Sequence, residues 1–427
     1  MKKKSRYNSV LKNTNDRNIN LFIAVFFVCA LFYILVKILF TNFITGVIET
    51  DYTDIFFVSS TDHFMDFFNP LYFSSFENPY EFKDLGAIYP PICYILYKIV
   101  LLFVPAGEIT DRFEIRENRT VVMLFAMITM ALLLATVAII FQNLRTSHIK
   151  KWILSFCIIF SFPMLFLIER GNILLLCLAL SLFFVFYHDS KNKLMSELSL
   201  IALAIAAAIK IYPAVFGILL FFEKRIDIKK IARCILYGIA AFVLPFFLLD
   251  GLNTYKIFFA NLISGVEVTK LSMYAVITRI DTDTFFYLVH SLVYGESVPF
   301  DSGVFPVIAK VFKVIFIVAS GAIIAFAKED WKKALGIVNL TLLLPAFSYT
   351  YVCVFVLIPL ILAFNEKAAT DKCGKIYLSL MTLIMIPVPL LPNNVKVLFA
   401  LVTLYSVVTV EAVTIIITKV KTKHRKA

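Results

Sequence analysis

Residues 41–91 form an acidic and aromatic stretch between two strongly apolar segments, with the sequence TNFITGVIETDYTDIFFVSSTDHFMDFFNPLYFSSFENPYEFKDLGAIYPP. Eight carboxylates fall in this stretch, against a single cation, Lys83. They are Glu49, Asp51, Asp54, Asp62, Asp66, Glu77, Glu81 and Asp84. Because the whole chain carries a net charge of +12, such a local concentration of acid is not an average sample of the composition. It indicates that carboxylates are selected at this place.

The composition of the rest of the chain is that of a polytopic membrane protein. Hydrophobic residues make up 60% of the 427 residues, and the mean hydropathy is +0.87, far above the values of soluble domains. Apolar runs of roughly 16 to 25 residues predict spanning helices, whereas a barrel would show short alternating strands. The positive charge is therefore interpreted as a signal of membrane orientation, and no nucleic-acid partner is expected. The seven Cys are scattered without a CxxC pair, so neither a disulfide framework nor a zinc site is predicted.

Basic segments predict the orientation of the chain in a cell membrane. Residues 1–19 carry six Lys or Arg and one acid, and the apolar run 20–40 that follows is too long for a cleaved signal peptide. The N-terminus is therefore expected in the cytoplasm, and the stretch 41–91 on the extracytoplasmic side. The basic loop 223–233 and the basic tail 419–427 are also predicted to be cytoplasmic.

The apolar runs predict an all-α membrane protein of about twelve transmembrane helices, with short helices in a large first outer loop. Four regions follow the basic N-terminus: a membrane module 20–249 that includes the loop 41–91, a second outer loop 250–302, a transmembrane bundle 303–418, and the tail. Within the second loop, YKIFFANLISG has the apolar spacing of a surface helix. The expected spans are 20–40, 89–105, 120–142, 152–168, 172–188, 197–222, 231–249, 303–326, 333–348, 351–365, 376–391 and 395–418.

One short loop disagrees with this topology. Residues 143–151 carry Arg145, His148, Lys150 and Lys151, yet counting spans places them outside. Either this loop is an exception to the positive-inside rule, or some segments between 89 and 222 are half-spanning hairpins. A break at Pro213 inside the long run 197–222 would allow the second alternative.

Two carboxylates of the first loop could carry chemistry. Asp62 and Asp66 are four residues apart, so a helix would place them on one side, with His63 or Asn69 nearby. Two such carboxylates can raise one another's pKa and provide a general base. The alternative reading is a solvated acidic loop.

Buried charges deeper in the chain could bind an anion. Glu169 and Arg170 lie between two apolar segments, and Lys210, followed by Tyr212, lies in a run without other charges. An ionisable group at membrane depth is costly unless it is paired or lines a wet cavity. Glu169 and Arg170 could simply pair in a tight turn, and Lys210 could reach the interface from a kinked helix end. Outer carboxylates with buried cations suit transfer from a lipid-linked phosphate donor, because a carboxylate can take a proton from an acceptor hydroxyl while Lys or Arg stabilises the departing phosphate.

The order of five motifs resembles the membrane glycosyltransferases of the C superfold. They are TDHFMDFFN (61–69), NPY (78–80), YPP (89–91), RGN (170–172) and KIYP (210–213), with a fainter PAFSYTY (345–351). Within that group the chain looks most like the bacterial polyprenol-phosphate-mannose-dependent α-mannosyltransferases. The RGN and KIYP pair is also similar to the first mannosyltransferase of GPI-anchor synthesis.

The resemblance implies an inverting enzyme that moves a sugar, with mannose as the first candidate, from a polyprenyl phosphate to a lipid or glycan acceptor at the outer face of the bilayer. It assigns the base to Asp62, with Asp66 as second choice, and puts Arg170 and Lys210 near the donor phosphate. The other expected substrate-binding side chains are His63, Asn69, Tyr80, Tyr89, Asn172 and Tyr212. A strict DxD is absent, and neither a metal nor another cofactor is expected. Since the predicted topology puts Arg170 on the cytoplasmic side, the resemblance favours the half-spanning alternative.

Two other classes of protein fit parts of the pattern. A lipid-linked sugar flippase or transporter can also have twelve spans, but KIYP has no counterpart in the second half of the chain, where an internal repeat would put one. A polysaccharide polymerase or ligase would be expected to carry its main loop late in the chain.

Overall fold

The computed structural model describes most of the chain and is mainly helical in those parts. It describes residues 2–39, 63–81, 87–105, 109, 111, 113–223, 225–268, 278–295, 300–346, 348–366, 372–386 and 393–424. Within these ranges the only β pairing is an isolated antiparallel bridge between Arg279 and Tyr349. The all-α prediction is confirmed for this part of the chain. Asp62 lies outside the described residues.

Up to residue 268 the described ranges contain ten α-helices. They are α1 (Lys2–Leu39), α2 (Met65–Phe73), α3 (Pro91–Leu101), α4 (Arg119–Asn143), α5 (His148–Ile159), α6 (Phe162–Arg170), α7 (Leu174–Tyr187), α8 (Lys193–Ile209), α9 (Ile228–Val243) and α10 (Gly251–Val268). Short 3-10 helices cover Pro79–Glu81, Glu114–Glu117, Tyr212–Phe222 and Leu244–Leu248. The predicted helix in the second loop is therefore present as part of α10.

The second half of the chain continues with α11 (Thr282–Tyr294), α12 (Phe305–Phe326), α13 (Asp330–Leu343), α14 (Leu357–Asn365), α15 (Lys372–Met385) and α16 (Asn393–His424). Two further 3-10 helices cover Phe300–Ser302 and Thr350–Val356.

Five described helices are long and apolar enough to cross a membrane: Asp16–Val36, Arg119–Asn143, Ile228–Leu248, Phe305–Phe326 and Val395–Thr422. Each coincides with a predicted span. The remaining predicted spans correspond to shorter or broken helices, so the total of about twelve stays a prediction. The apolar helices make the chain a multi-pass membrane protein.

Two predicted spans are broken inside the membrane module. The span 152–168 consists of α5 and α6, which meet at an angle of 52°. The span 197–222 breaks after α8, where Lys210 has an extended backbone, and a 3-10 helix with Pro213 in its first turn continues from Tyr212. Proline cannot donate a backbone hydrogen bond to the preceding turn, which accounts for the break. Both breaks are compatible with the half-spanning alternative, which stays a prediction.

The chain folds into two compact units made of interleaved segments. The first contains residues 1–58, 144–166 and 271–427, and the second contains 59–143 and 167–270. In the first unit α1 packs against α5 and α14, with the ring of Phe22 centred 5.5 Å from that of Phe364. In the second unit α7 packs against both α4 and α8. Since α7 is apolar on every side and mostly buried, it is the central helix of that unit.

Candidate functional site

A tight turn between α6 and α7 carries two of the predicted site residues, Arg170 and Asn172. Gly171 has φ +63, its N–H donates to the Ile168 carbonyl at 2.9 Å, and the Asn172 N–H donates to the Leu167 carbonyl at 3.3 Å. This pattern is a Schellman motif, which ends a helix at a left-handed glycine. Asn172 then caps α7, because its Oδ1 accepts the Leu174 N–H at 2.9 Å. Arg170 and Asn172 are therefore fixed relative to each other.

Asp66, in the first turn of α2, is held by both of these residues. Arg170 Nη2 donates to Asp66 Oδ1 at 2.5 Å, and Asn172 Nδ2 donates to Asp66 Oδ2 at 2.6 Å. These partners lie 104 and 106 residues further along the chain. With charge-assisted hydrogen bonds on both oxygens, the carboxylate has a single orientation.

Tyr89 and Lys210 complete the cluster. The Asn172 amide nitrogen lies 3.4 Å from the Tyr89 hydroxyl, and Lys210 Nζ lies 4.7 Å from the centre of the Tyr89 ring. Lys210 is 8% exposed, and the break after α8 brings its ammonium here. A buried ammonium over an aromatic face is stabilised by the ring quadrupole. Asp66, Tyr89, Arg170, Asn172 and Lys210, called the Asp66 cluster below, therefore come together from four segments.

A second set of contacts fastens residues 63 and 64 to the end of α6. His63 Nε2 lies 3.2 Å from Glu169 Oε1, and the Phe64 N–H donates to the Glu169 carbonyl at 2.6 Å. Phe64 has φ +60 and is the only non-glycine residue with a positive φ in the described ranges. A Cβ on Gly171 would come within 3.1 Å of the Phe64 Cα and carbonyl oxygen. The glycine thus allows the two turns to touch.

The environment of Asp66 changes its acidity. Burial raises its pKa to about 6, while the hydrogen bond from Asn172 and the charge of Lys210 act in the opposite direction. At neutral pH the carboxylate is therefore ionised and faces two cations, Arg170 and Lys210. Such an arrangement can hold an additional anion.

The other predicted site residues occupy different positions. Tyr80 is buried in an aromatic group with Tyr94 and Phe258, and its hydroxyl donates to the Tyr89 carbonyl at 2.6 Å, so it supports the cluster from behind. Asn69 lies on α2 one turn after Asp66, and Tyr212 begins the 3-10 helix two residues after Lys210.

Comparison with known families gives the class of the protein. The model of glycosyltransferase family 87 matches residues 88–348, well over half of the chain. The chain belongs to glycosyltransferase family 87. The search of curated proteins and the search of solved structures each returned no match.

The family 87 segment contains most of the Asp66 cluster. Tyr89, Arg170, Asn172 and Lys210 all lie within residues 88–348, whereas Asp66 precedes them. The family 87 assignment confirms the prediction of a membrane glycosyltransferase, and the resemblance on which it was made used RGN and KIYP from the same segment.

Sequence reasoning did not predict the pairing of charges in this family 87 protein. Glu169 and Arg170 do not pair in their turn, as one interpretation had it. Their partners are His63 and Asp66, which come from a segment more than 100 residues earlier. The available signal was that consecutive residues of a helix project about 100° apart, so Glu169 and Arg170 are expected to face different neighbours, although this spacing does not say which.

Metal ligation was also considered. In the parts of the chain that the structure describes, no three His, Cys, Asp or Glu side chains are grouped so that they could hold a metal ion. The expectation of a metal-independent family 87 enzyme stays a prediction.

Proposed function

We propose that this family 87 glycosyltransferase moves a sugar, with mannose as the first candidate, from a polyprenyl phosphate to a lipid or glycan acceptor. The reaction takes place at the extracytoplasmic face of the cell membrane, with both termini in the cytoplasm. The observation that carries the proposal is the Asp66 cluster, in which Arg170 and Lys210 face one carboxylate. A phosphodiester carries a single negative charge, which this arrangement of two cations and one carboxylate accommodates.

The proposed reaction is a displacement with inversion. A carboxylate takes the proton of the acceptor hydroxyl, the acceptor oxygen bonds to the anomeric carbon, and the bond from that carbon to the phosphate oxygen breaks. The electron pair leaves with the polyprenyl phosphate, whose new charge Arg170 and Lys210 stabilise. Both oxygens of Asp66 are engaged by Arg170 and Asn172. This geometry favours Asp66 as the group that orients Arg170, and leaves Asp62 as the preferred base.

The experiment is transfer by purified protein in nanodiscs, with a panel of polyprenyl-phosphate sugars and membrane-lipid acceptors. Asp62→Asn is expected to lower the rate by about 10²–10⁴-fold, the usual contribution of a general base. Asp66→Asn is expected to raise the donor KM as well, because Arg170 loses its orienting partner. Glu77→Gln, an exposed carboxylate of the same loop, is the control and should transfer like the wild type.

Three outcomes would contradict this proposal. Transfer from a nucleotide sugar, with none from lipid phosphates, would overturn the donor class. Full transfer by both Asp variants would show that neither Asp62 nor Asp66 is the base. Movement of an intact lipid-linked sugar across the bilayer, without transfer, would support the flippase instead.

A further inference from the structure

A cavity of about 270 Å³ lies in the second unit beside the Asp66 cluster. Its walls come from α2, α3, α4, the end of α6 and the beginning of α7, and the side chains are almost all aliphatic or aromatic, including Phe67, Tyr97, Phe125 and Ile128. The Phe67 ring is centred 5.4 Å from that of Tyr97 and 4.9 Å from that of Phe125. A cavity with this lining suits a hydrocarbon and offers little to a free sugar.

One end of the cavity reaches the polar cluster. Gly171 and Asn172 line it, and they belong to the turn that carries Arg170. The Asn172 side chain also bonds Asp66 at 2.6 Å. An anion held by Arg170 therefore lies at the mouth of the apolar cavity.

The other side of the cavity lies under a helix suited to contact with lipid. Ile128, Thr129 and Leu132 line it from α4, a candidate span in which only 17% of the residues are buried. On α3, the lining residue Ile99 is 49% exposed. A hydrocarbon chain could thus pass between the bilayer and the cavity without crossing water.

We propose that this cavity binds the isoprene units next to the phosphate of a polyprenyl phosphate donor. The inference rests on the proposed function and adds the site of the chain to it. In such a donor the chain is bonded to the phosphate itself, so a phosphate at Arg170 puts the first isoprene unit at the mouth of the cavity. In a glycolipid acceptor a sugar headgroup separates the reacting hydroxyl from the acyl chains, which therefore would not begin there. Since the cavity is smaller than a typical drug-sized pocket, it holds only the first part of the chain.

Photolabelling tests the site without requiring transfer. The probe is a polyprenyl phosphate with a diazirine in its first two isoprene units, added to the full-length protein in nanodiscs. We expect labelling of peptides covering residues 96–100 and 125–132, with competition by unlabelled polyprenyl phosphate. Thr129→Phe fills the cavity and should reduce this labelling about tenfold. Met130→Phe, next to it on α4 but 57% exposed, should not.

The outcomes separate the site from the reaction. Equal labelling of Thr129→Phe and wild type, labelling of other helices, or competition by diacyl lipids as strong as by polyprenyl phosphate would overturn the site. If Thr129→Phe lowers the folded yield, Thr129→Leu replaces it with a smaller side chain. Labelling in the cavity by a wild type that transfers no sugar would support the site and contradict the reaction. Sugar transfer by a wild type that shows no labelling in the cavity would support the reaction and contradict the site.

Discussion

At the scale of single residues, Asp66 connects the loop chemistry with the cation site. Arg170 and Asn172 each donate a hydrogen bond to one oxygen of its carboxylate. The carboxylate therefore has a fixed orientation, which disfavours it as the general base. It is also too buried to be a solvated loop residue, since only 15% of its side chain is exposed. Arg170 therefore keeps its position only under the condition that Asp66 is ionised.

This condition predicts a pH dependence. With a pKa of about 6, Asp66 is protonated as the pH falls below that value, and the ion pair with Arg170 is lost. The kcat/KM of transfer should therefore fall by up to about tenfold per pH unit below pH 6. The residual transfer of Asp66→Asn should lack this decline, and an equal decline in that variant would contradict the assignment.

The raised pKa of Asp66 also affects stability, but here the favourable effect is lost as the pH rises and not as it falls. The folded-state pKa of Asp66 is above the ordinary value of 3.8 for an aspartate, so between these two values the folded chain binds more protons than the unfolded chain. The contribution of Asp66 to the free energy of unfolding thus decreases as the pH rises from about 4 to about 6. Keeping a buried, ionised carboxylate in the site therefore lowers the stability of the folded chain near neutral pH.

Particular residues show what the sequence could predict about this site. Arg170, Asn172 and Lys210 were recognised by their motifs, and the structure brings them together. The contact of Glu169 with His63 and the left-handed Phe64 were not predicted. Such contacts depend on how distant segments pack, and periodicity along one helix contains no information about them.

At the scale of elements, the α6–α7 turn positions the cluster, and its glycine can be tested. Gly171→Ala places a side chain at φ +63 and 3.1 Å from the Phe64 backbone. We expect the free energy of unfolding to fall by about 1–2 kcal/mol, with a loss of transfer because Phe64 is displaced. Chemical denaturation in detergent micelles would measure the first effect, and the nanodisc transfer assay would measure the second.

Gly238→Ala is the matched control for this turn. Gly238 lies inside α9, and a Cβ there would have no neighbour within 4 Å. Alanine should leave transfer unchanged and stabilise the helix by up to about 1 kcal/mol. If the two variants behaved alike, the close contact of the two turns would be wrong.

The spans were predictable at this scale where the apolar run is unbroken. Arg119–Asn143 and Phe305–Phe326 agree with the predicted spans 120–142 and 303–326 within two residues. The run 152–168 was predicted as one span but bends between α5 and α6, because hydropathy does not register a change of direction. Pro213 predicted the break after Lys210, because the proline ring fixes the backbone angle φ and leaves no N–H to donate.

At the scale of the whole molecule, the first unit depends on helices from both ends of the chain. Phe22 on α1 is 2% exposed and packs against Phe364 on α14. Phe22→Ala should lower the stability of the folded protein by about 3–5 kcal/mol through the cavity that it leaves. Leu21→Ala, 61% exposed on the same helix, should have little effect. Thermal unfolding in detergent compares them, and equal midpoints would contradict the packing of α1.

The pairing of Phe22 with Phe364 also has a consequence for biogenesis. Phe22 on helix α1 leaves the ribosome well before its aromatic partner Phe364, which is synthesised more than 300 residues later. At about 5–20 residues per second this interval lasts tens of seconds. During that time α1 must stay in the bilayer with only lipid or an insertion factor against its buried face. A chain truncated before α14 would leave this face of α1 without its protein partner. The uncovered face gives membrane quality control a signal that the chain is incomplete.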